Sequence, residues 1–95
     1  MKAARSFRER LKKDLKNPDF KKAFDEEEIY SSVAIQIAKL REQEHLTQSE
    51  LSKKLHTTQQ TISRLEDINN DGYSLKTLVK IAQTFHRKLK IEFVR

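Results

Sequence analysis

Only one glycine, Gly72, and one proline, Pro18, stand in this chain of 95 residues. These residue types do most of the breaking of helices, so their scarcity, with Leu, Lys, Glu and Gln abundant, predicts an all-α fold of helices joined by short connections. Ninety-five residues make one small domain, or one domain with an arm. Hydrophobic and charged residues each account for 36% of the chain, so the apolar side chains must gather on helix faces around a thin core, too small for a large enzyme. Twenty Lys and Arg against fourteen Asp and Glu give a net charge of +6, which favours a polyanionic partner. The absence of cysteine excludes disulfides and thiolate metal sites. With no long apolar run and no hydrophobic signal core near Met1, a soluble, cytoplasmic protein is expected.

Phe7, Leu11 and Leu15 recur every four residues and predict a short, otherwise basic helix over residues 5–16. Asn17 as N-cap and Pro18 at the first helical position predict a second helix with Phe20, Ala23 and Phe24 on one face. Whether it runs through Asp25, Glu26, Glu27 and Glu28 is left open by the pattern. Ile29, Val33, Ile37 and Leu40 then continue a helical stripe to about Glu44, with Ala34 and Ala38 alongside. Thr47, Gln48, Ser49 and Glu50 form a capping box that starts a helix carrying Leu51 and Leu55. After His56, Thr57 and Thr58, Ile62 and Leu65 restart the helical pattern from about Gln59 to Asp67. Turn residues fill 68–73, and Ser74 caps a fifth helix bearing Leu75, Leu78, Val79, Ala82 and Phe85. From Lys88 to Phe93 apolar and charged residues alternate, the two-residue period of a half-buried strand.

Residues 46–66 have the spacing of a helix-turn-helix. Leu51, Leu55, Ile62 and Leu65 would lock two helices at a steep angle, with the small Ser52 at the crossing. The front of the second helix, Thr58, Gln59, Gln60, Thr61, Ser63 and Arg64, is then free to enter a DNA major groove. The residue types suit groove reading, since Gln bonds an adenine edge, Arg a guanine edge, and Thr hydroxyls hold phosphates. Thr57, Gln48 and Lys54 complete the candidate DNA-binding set.

These residues resemble the Cro/C1-type helix-turn-helix family, the fold of lambdoid phage repressors. The resemblance covers about residues 33–86 and rests on Thr47-Gln48-x-Glu50-Leu51 and Thr57-Thr58-Gln59-Gln60-x-Ile62-x-x-Leu65-Glu66. It implies that Gln48 and Thr58 hold phosphates while Gln59 and Gln60 read bases. The family usually has glycine where His45 and His56 stand and alanine where Ser52 stands. Ser52 is small enough for the crossing, and His tolerates a left-handed backbone better than β-branched residues do. The whole chain further resembles a HigA-type antitoxin through Asn17-Pro18-Asp19-Phe20-x-x-Ala23-Phe24, the Leu40-Arg41 to Leu46-Thr47-Gln48 junction and the segment 88–94. That resemblance implies a RelE/HigB-like, mRNA-cleaving toxin as partner and repression of the protein's own operon. The alternative is a phage-type repressor with no toxin partner, and a rival of another class is an interaction module that keeps the helix-turn-helix as a scaffold.

Phe7, Leu11, Leu15, Phe20 and Phe24 precede the helix-turn-helix, whose core is supplied by later residues, so they either pack back onto the domain or meet a partner. They are the candidate toxin-binding residues. A toxin that acts on RNA is expected to be basic, so Phe20 and Phe24, next to the acidic run, suit it better than Phe7. The predicted architecture is therefore all-α, a five-helix lambda-repressor-like fold divided into an N-terminal helical arm (1–28), the helix-turn-helix domain (29–87) and a C-terminal dimerisation strand (88–95). One recognition helix reads few base pairs, so a homodimer on a two-fold operator is expected, with Ile81, Phe85, Leu89, Ile91 and Phe93 as interface candidates. His45, His56 and His86 each follow an apolar-periodic stretch at a predicted helix end, where an imidazole favours the C-terminal dipole over a metal or catalytic role. The acidic run lacks the interleaved spacing of a metal loop and reads as a solvated face. No nucleophile–base pair, phosphate loop or metal cluster supports catalysis, and no cofactor is implied.

Overall fold

A computed structural model describes residues 16–95 of the chain. Phe7, Leu11 and Leu15, with the helix predicted around them, lie outside the described residues. Four helices follow in order: α1 (Pro18–Gln43), α2 (Gln48–Lys54), α3 (Gln59–Leu65) and α4 (Leu75–Thr84). Asn17 starts α1 as expected, its side-chain oxygen accepting from the Asp19 and Phe20 amides at 3.0 and 3.4 Å. The acidic run does not interrupt this helix, because Glu is a good helix former and like charges on a solvated face cost little against an unbroken backbone ladder. At 26 residues, α1 is about 39 Å long.

The ends of the shorter helices follow their sequence signals. The Thr47 hydroxyl accepts from the Glu50 amide at 3.1 Å while the Glu50 carboxylate accepts from the Thr47 amide at 3.0 Å, a complete capping box. Thr58 and Ser74 cap α3 and α4 by accepting from the Thr61 and Thr77 amides, each at 3.1 Å. Helix α3 stops at Leu65, two residues short of the expected Asp67.

Three helices end in the same way. His45, His56 and His86 have φ of 56°, 55° and 54°, the left-handed region, one residue beyond the caps of α1, α2 and α4. The amide after each reaches back over the last turn: Leu46 to the Arg41 carbonyl at 3.1 Å, Thr57 to Ser52 at 2.9 Å, and Arg87 to Ala82 at 2.8 Å. Each histidine amide bonds the carbonyl three residues before it, completing three Schellman motifs. The histidines thus terminate helices through their backbones, where glycine would be unstrained. Gly72, by contrast, does not have a positive φ.

The core is formed by Ile37 of α1, Leu51 and Leu55 of α2 and its cap, Ile62 and Leu65 of α3, and Ile81 and Phe85 at the end of α4. Val33, Leu40, Leu46, Tyr73 and Leu78 pack against it. Leu51 and Ile62 are both 0% exposed, and the buried Ser52 lies beside them, its hydroxyl donating to the Ser49 carbonyl so that no polar atom is stranded at the crossing. Tyr73 donates to the Leu65 carbonyl at 2.8 Å and ties the loop before α4 to the end of α3. Burial pushes its phenol above the ordinary range, so it remains a donor throughout physiological pH.

Two expectations are corrected. Ile81 and Phe85, placed at a dimer interface by sequence, are buried in the chain's own core. Helix α4 turns this side inward and leaves Leu75 and Val79 exposed, because its apolar face is wider than the one contact it makes. The described residues also contain no strand, and the chain from Lys88 onward carries no hydrogen-bonded ladder. A strand needs a neighbouring edge, and nothing within the described residues offers one.

Candidate nucleic-acid interface

Helix α3 buries Ile62 and Leu65 against α2, and this orients everything else on it. Residues at 100° intervals place Gln60 and Arg64 on the side opposite the core, flanked by Gln59 and Ser63. All four are exposed, as are Thr57 and Thr58 in the turn and Lys54 at the end of α2. The Arg64 guanidinium makes no ion pair or hydrogen bond among the described residues, so it is available to an acceptor outside the chain. Thr58 and Thr61 are partly committed: their hydroxyls lie 2.9 Å apart, and Thr58 already caps the helix. Eight of the nine sequence candidates thus sit in or beside the turn and on α3, with Gln48 set apart at the start of α2.

Gln48 belongs to a network that the sequence motifs alone did not reveal. Arg41, in the last turn of α1, donates from Nε and Nη2 to the two carboxylate oxygens of Glu66 at 2.7 and 2.9 Å. Its Nη1 donates to the Leu46 carbonyl at 2.8 Å, and Gln48 donates to Glu66 at 3.3 Å. The side chains of Arg41 and Glu66 are only 14% and 7% exposed. The hydrogen bond to Glu66, with the Glu66 and Glu42 charges, holds the guanidinium above its ordinary pKa despite burial. This forked pair joins the end of α1, the start of α2 and the C-cap of α3, so it sets where α3 stands. The signal was present in the periodicity: Arg41 lies four residues after Ile37 and Glu66 four after Ile62, charges of opposite sign continuing two core stripes. Lys80 adds a tie from α4, donating to the Leu55 carbonyl at 2.7 Å at the C-terminus of α2.

A short helix, a tight turn and a second short helix with its polar face outward are thus held rigidly together. A helix-turn-helix family model matches residues 37–90, more than half of the chain. The chain belongs to the Cro/C1-type helix-turn-helix family. This Cro/C1-type domain is a DNA-binding regulatory unit, and α3 is the second helix of its helix-turn-helix. No curated protein and no solved structure matches the chain. The left-handed His45 and His56 occupy the positions where Cro/C1-type domains usually carry glycine, so the expected departure leaves the turn geometry intact.

The family match begins at Ile37, about three-quarters of the way along α1. The N-terminal half of that helix has a surface of its own. The Phe20 and Phe24 rings stack with centroids 6.4 Å apart, and Phe24 and Tyr30 line a groove of about 550 Å³ against Ile68 of the loop that follows α3. Glu26, Glu27, Glu28 and Asp71 rim it. Among the described residues no cluster of His, Asp and Glu could hold a metal ion, and no helix is long and apolar enough to cross a membrane.

Proposed function

We propose that this protein is an antitoxin that represses its own operon as a homodimer and neutralises a RelE/HigB-like toxin. The repression half of this reading is carried by one observation: the polar face of α3, with Gln59, Gln60 and Arg64, is exposed while its other face is locked to α2. Gln48, Lys54, Thr57, Thr58, Thr61 and Ser63 would contribute phosphate and sugar contacts around it. The toxin half is supported by the N-terminal part of α1, where Phe20 and Phe24 stand beside carboxylates in a chain whose net charge is +6. An acidic, aromatic patch that lies outside the DNA-reading unit suits a basic protein better than it suits DNA. Phe7, Leu11 and Leu15 of residues 1–28 would extend this arm.

Two sets of substitutions in the full chain test the halves separately. Gln59, Gln60 and Arg64 to Ala should abolish preference for the operator while toxin capture persists; unchanged operator affinity would sink the recognition assignment. Phe20→Ala with Phe24→Ala should impair capture of the toxin and growth rescue while operator binding stays intact. Tight toxin binding by that variant would move the toxin to the helix-turn-helix body, and absence of any captured toxin from the native host would leave the phage-type repressor.

A further inference from the structure

Four carboxylates rim the groove that Phe24, Tyr30 and Ile68 line, and no lysine or arginine lines it. None of the four, Glu26, Glu27, Glu28 and Asp71, forms an ion pair among the described residues. Like charges held this close repel until a cation arrives, and aromatic rings beside them add their own attraction for one. The chain carries such cations immediately ahead of α1. In residues 1–15 Lys2, Arg5, Arg8, Arg10, Lys12 and Lys13 outnumber Glu9 and Asp14, and Phe7, Leu11 and Leu15 recur among them. The chain turns at Lys16 and Asn17, so the backbone enters α1 from the side rather than along its axis.

We infer that residues 1–15 fold back along the N-terminal half of α1 and occupy this groove. Their cations meet Glu26, Glu27, Glu28 and Asp71, and their apolar residues meet Phe24 and Ile68. The reach is sufficient. Along α1 the groove ends at Ser31, about 20 Å from Asn17, and fifteen residues span about 22 Å as a helix or up to about 50 Å extended. Tethering gives the segment a local concentration on the order of millimolar, so contacts too weak to hold a separate chain suffice here. Exposed ion pairs contribute less than about 1 kcal/mol each, so a basic partner with a larger apolar face displaces the segment. The groove is therefore covered in the free protein and opens by competition.

The regulatory meaning of this contact rests on the toxin reading of the same surface; the contact itself does not, so its test needs no toxin. The chain has no cysteine, so Ser6→Cys carries a single nitroxide in the full-length protein. Against the reduced label, the nitroxide should lower the amide signals of Tyr30, Ile68 and Asn69 by about twofold or more, as a largely occupied tethered site requires. Glu26→Lys, Glu27→Lys and Glu28→Lys together should abolish this effect, and adding Arg8→Glu, Arg10→Glu and Lys12→Glu in the same chain should restore it. Lysine supports a helix as well as glutamate does, so α1 survives the reversal, which circular dichroism checks. Unchanged groove signals, or a loss of signal that persists after the glutamates are reversed, would overturn the inference. So would a loss of the same size when nitroxide-bearing and isotope-labelled copies are mixed as separate molecules, since the segment would then come from another chain. Failure to capture any toxin, with the label contact intact, would overturn the toxin reading alone.

Discussion

The two halves of α1 obey the same helical periodicity and have opposite fates. In the C-terminal half Ala34 and Ile37 are buried and Arg41 is fastened to Glu66. In the N-terminal half Ile29, a member of the same apolar stripe, is 62% exposed, and Phe20, also exposed, stacks on its neighbour Phe24. A stripe therefore identifies a face able to be buried, and burial itself depends on whether another element lies opposite. Helices α2, α3 and α4 lie opposite only the second half, which is also where the family match begins.

Substitutions can break this contrast, starting with the core. Leu51→Ala should lower stability by about 3–4 kcal/mol, since it leaves a cavity at a fully buried site, whereas Ile29→Ala should change it by less than about 0.5 kcal/mol. Urea unfolding of the two variants checks both figures, and similar midpoints would mean that the N-terminal half of α1 is covered by something in solution.

The Arg41–Glu66 pair comes next. Removing one partner strands a buried charge, so Arg41→Ala should cost about 3 kcal/mol, with the double variant Arg41→Met, Glu66→Leu recovering a large part of it. Because the pair positions α3, the single variant should also lose operator affinity beyond its loss of stability, read at a temperature where it remains folded by circular dichroism.

On the exposed face of α3 each of Gln60→Ala and Arg64→Ala should cost roughly 1–3 kcal/mol of operator binding without changing stability. Lys54→Ala should instead weaken all sequences alike and flatten the salt dependence. Phe20→Ala should do neither. Equilibrium titrations on operator and unrelated duplexes at two salt concentrations separate these outcomes.

Smaller effects are expected at the helix ends. His56→Gly should raise stability by about 0.5–1 kcal/mol by relieving a left-handed backbone, and Gly72→Ala should also raise it, because an added Cβ there meets only the Asn70 side chain at 3.5 Å. Glu50 responds to pH. The Thr47 amide holds its carboxyl below the ordinary value, so its contribution is present above the unfolded pKa and is lost as the pH falls through the folded one. Glu50→Gln should flatten the acid limb of thermal stability below about pH 4.5. An acid limb identical to the wild type would show that the capping box carries no charge-dependent stability.

The local features of this protein were legible in its residues because their causes are local. Asn17, Thr47, Thr58 and Ser74 start helices through side chains that reach amides two or three positions away, and Ile62 and Leu65 fix which face of α3 points outward. Tertiary structure decided the rest, for reasons of distance along the chain. Ile81 and Phe85 could have faced either a partner or the core until α4 docked beside α1 and α2. Arg41 and Glu66, 25 residues apart, became a buried pair only when the last turns of α1 and α3 converged. The alternation from Lys88 to Phe93 specifies a face, yet a strand exists only where a second edge completes its hydrogen bonds, and that edge is not among the described residues of this chain.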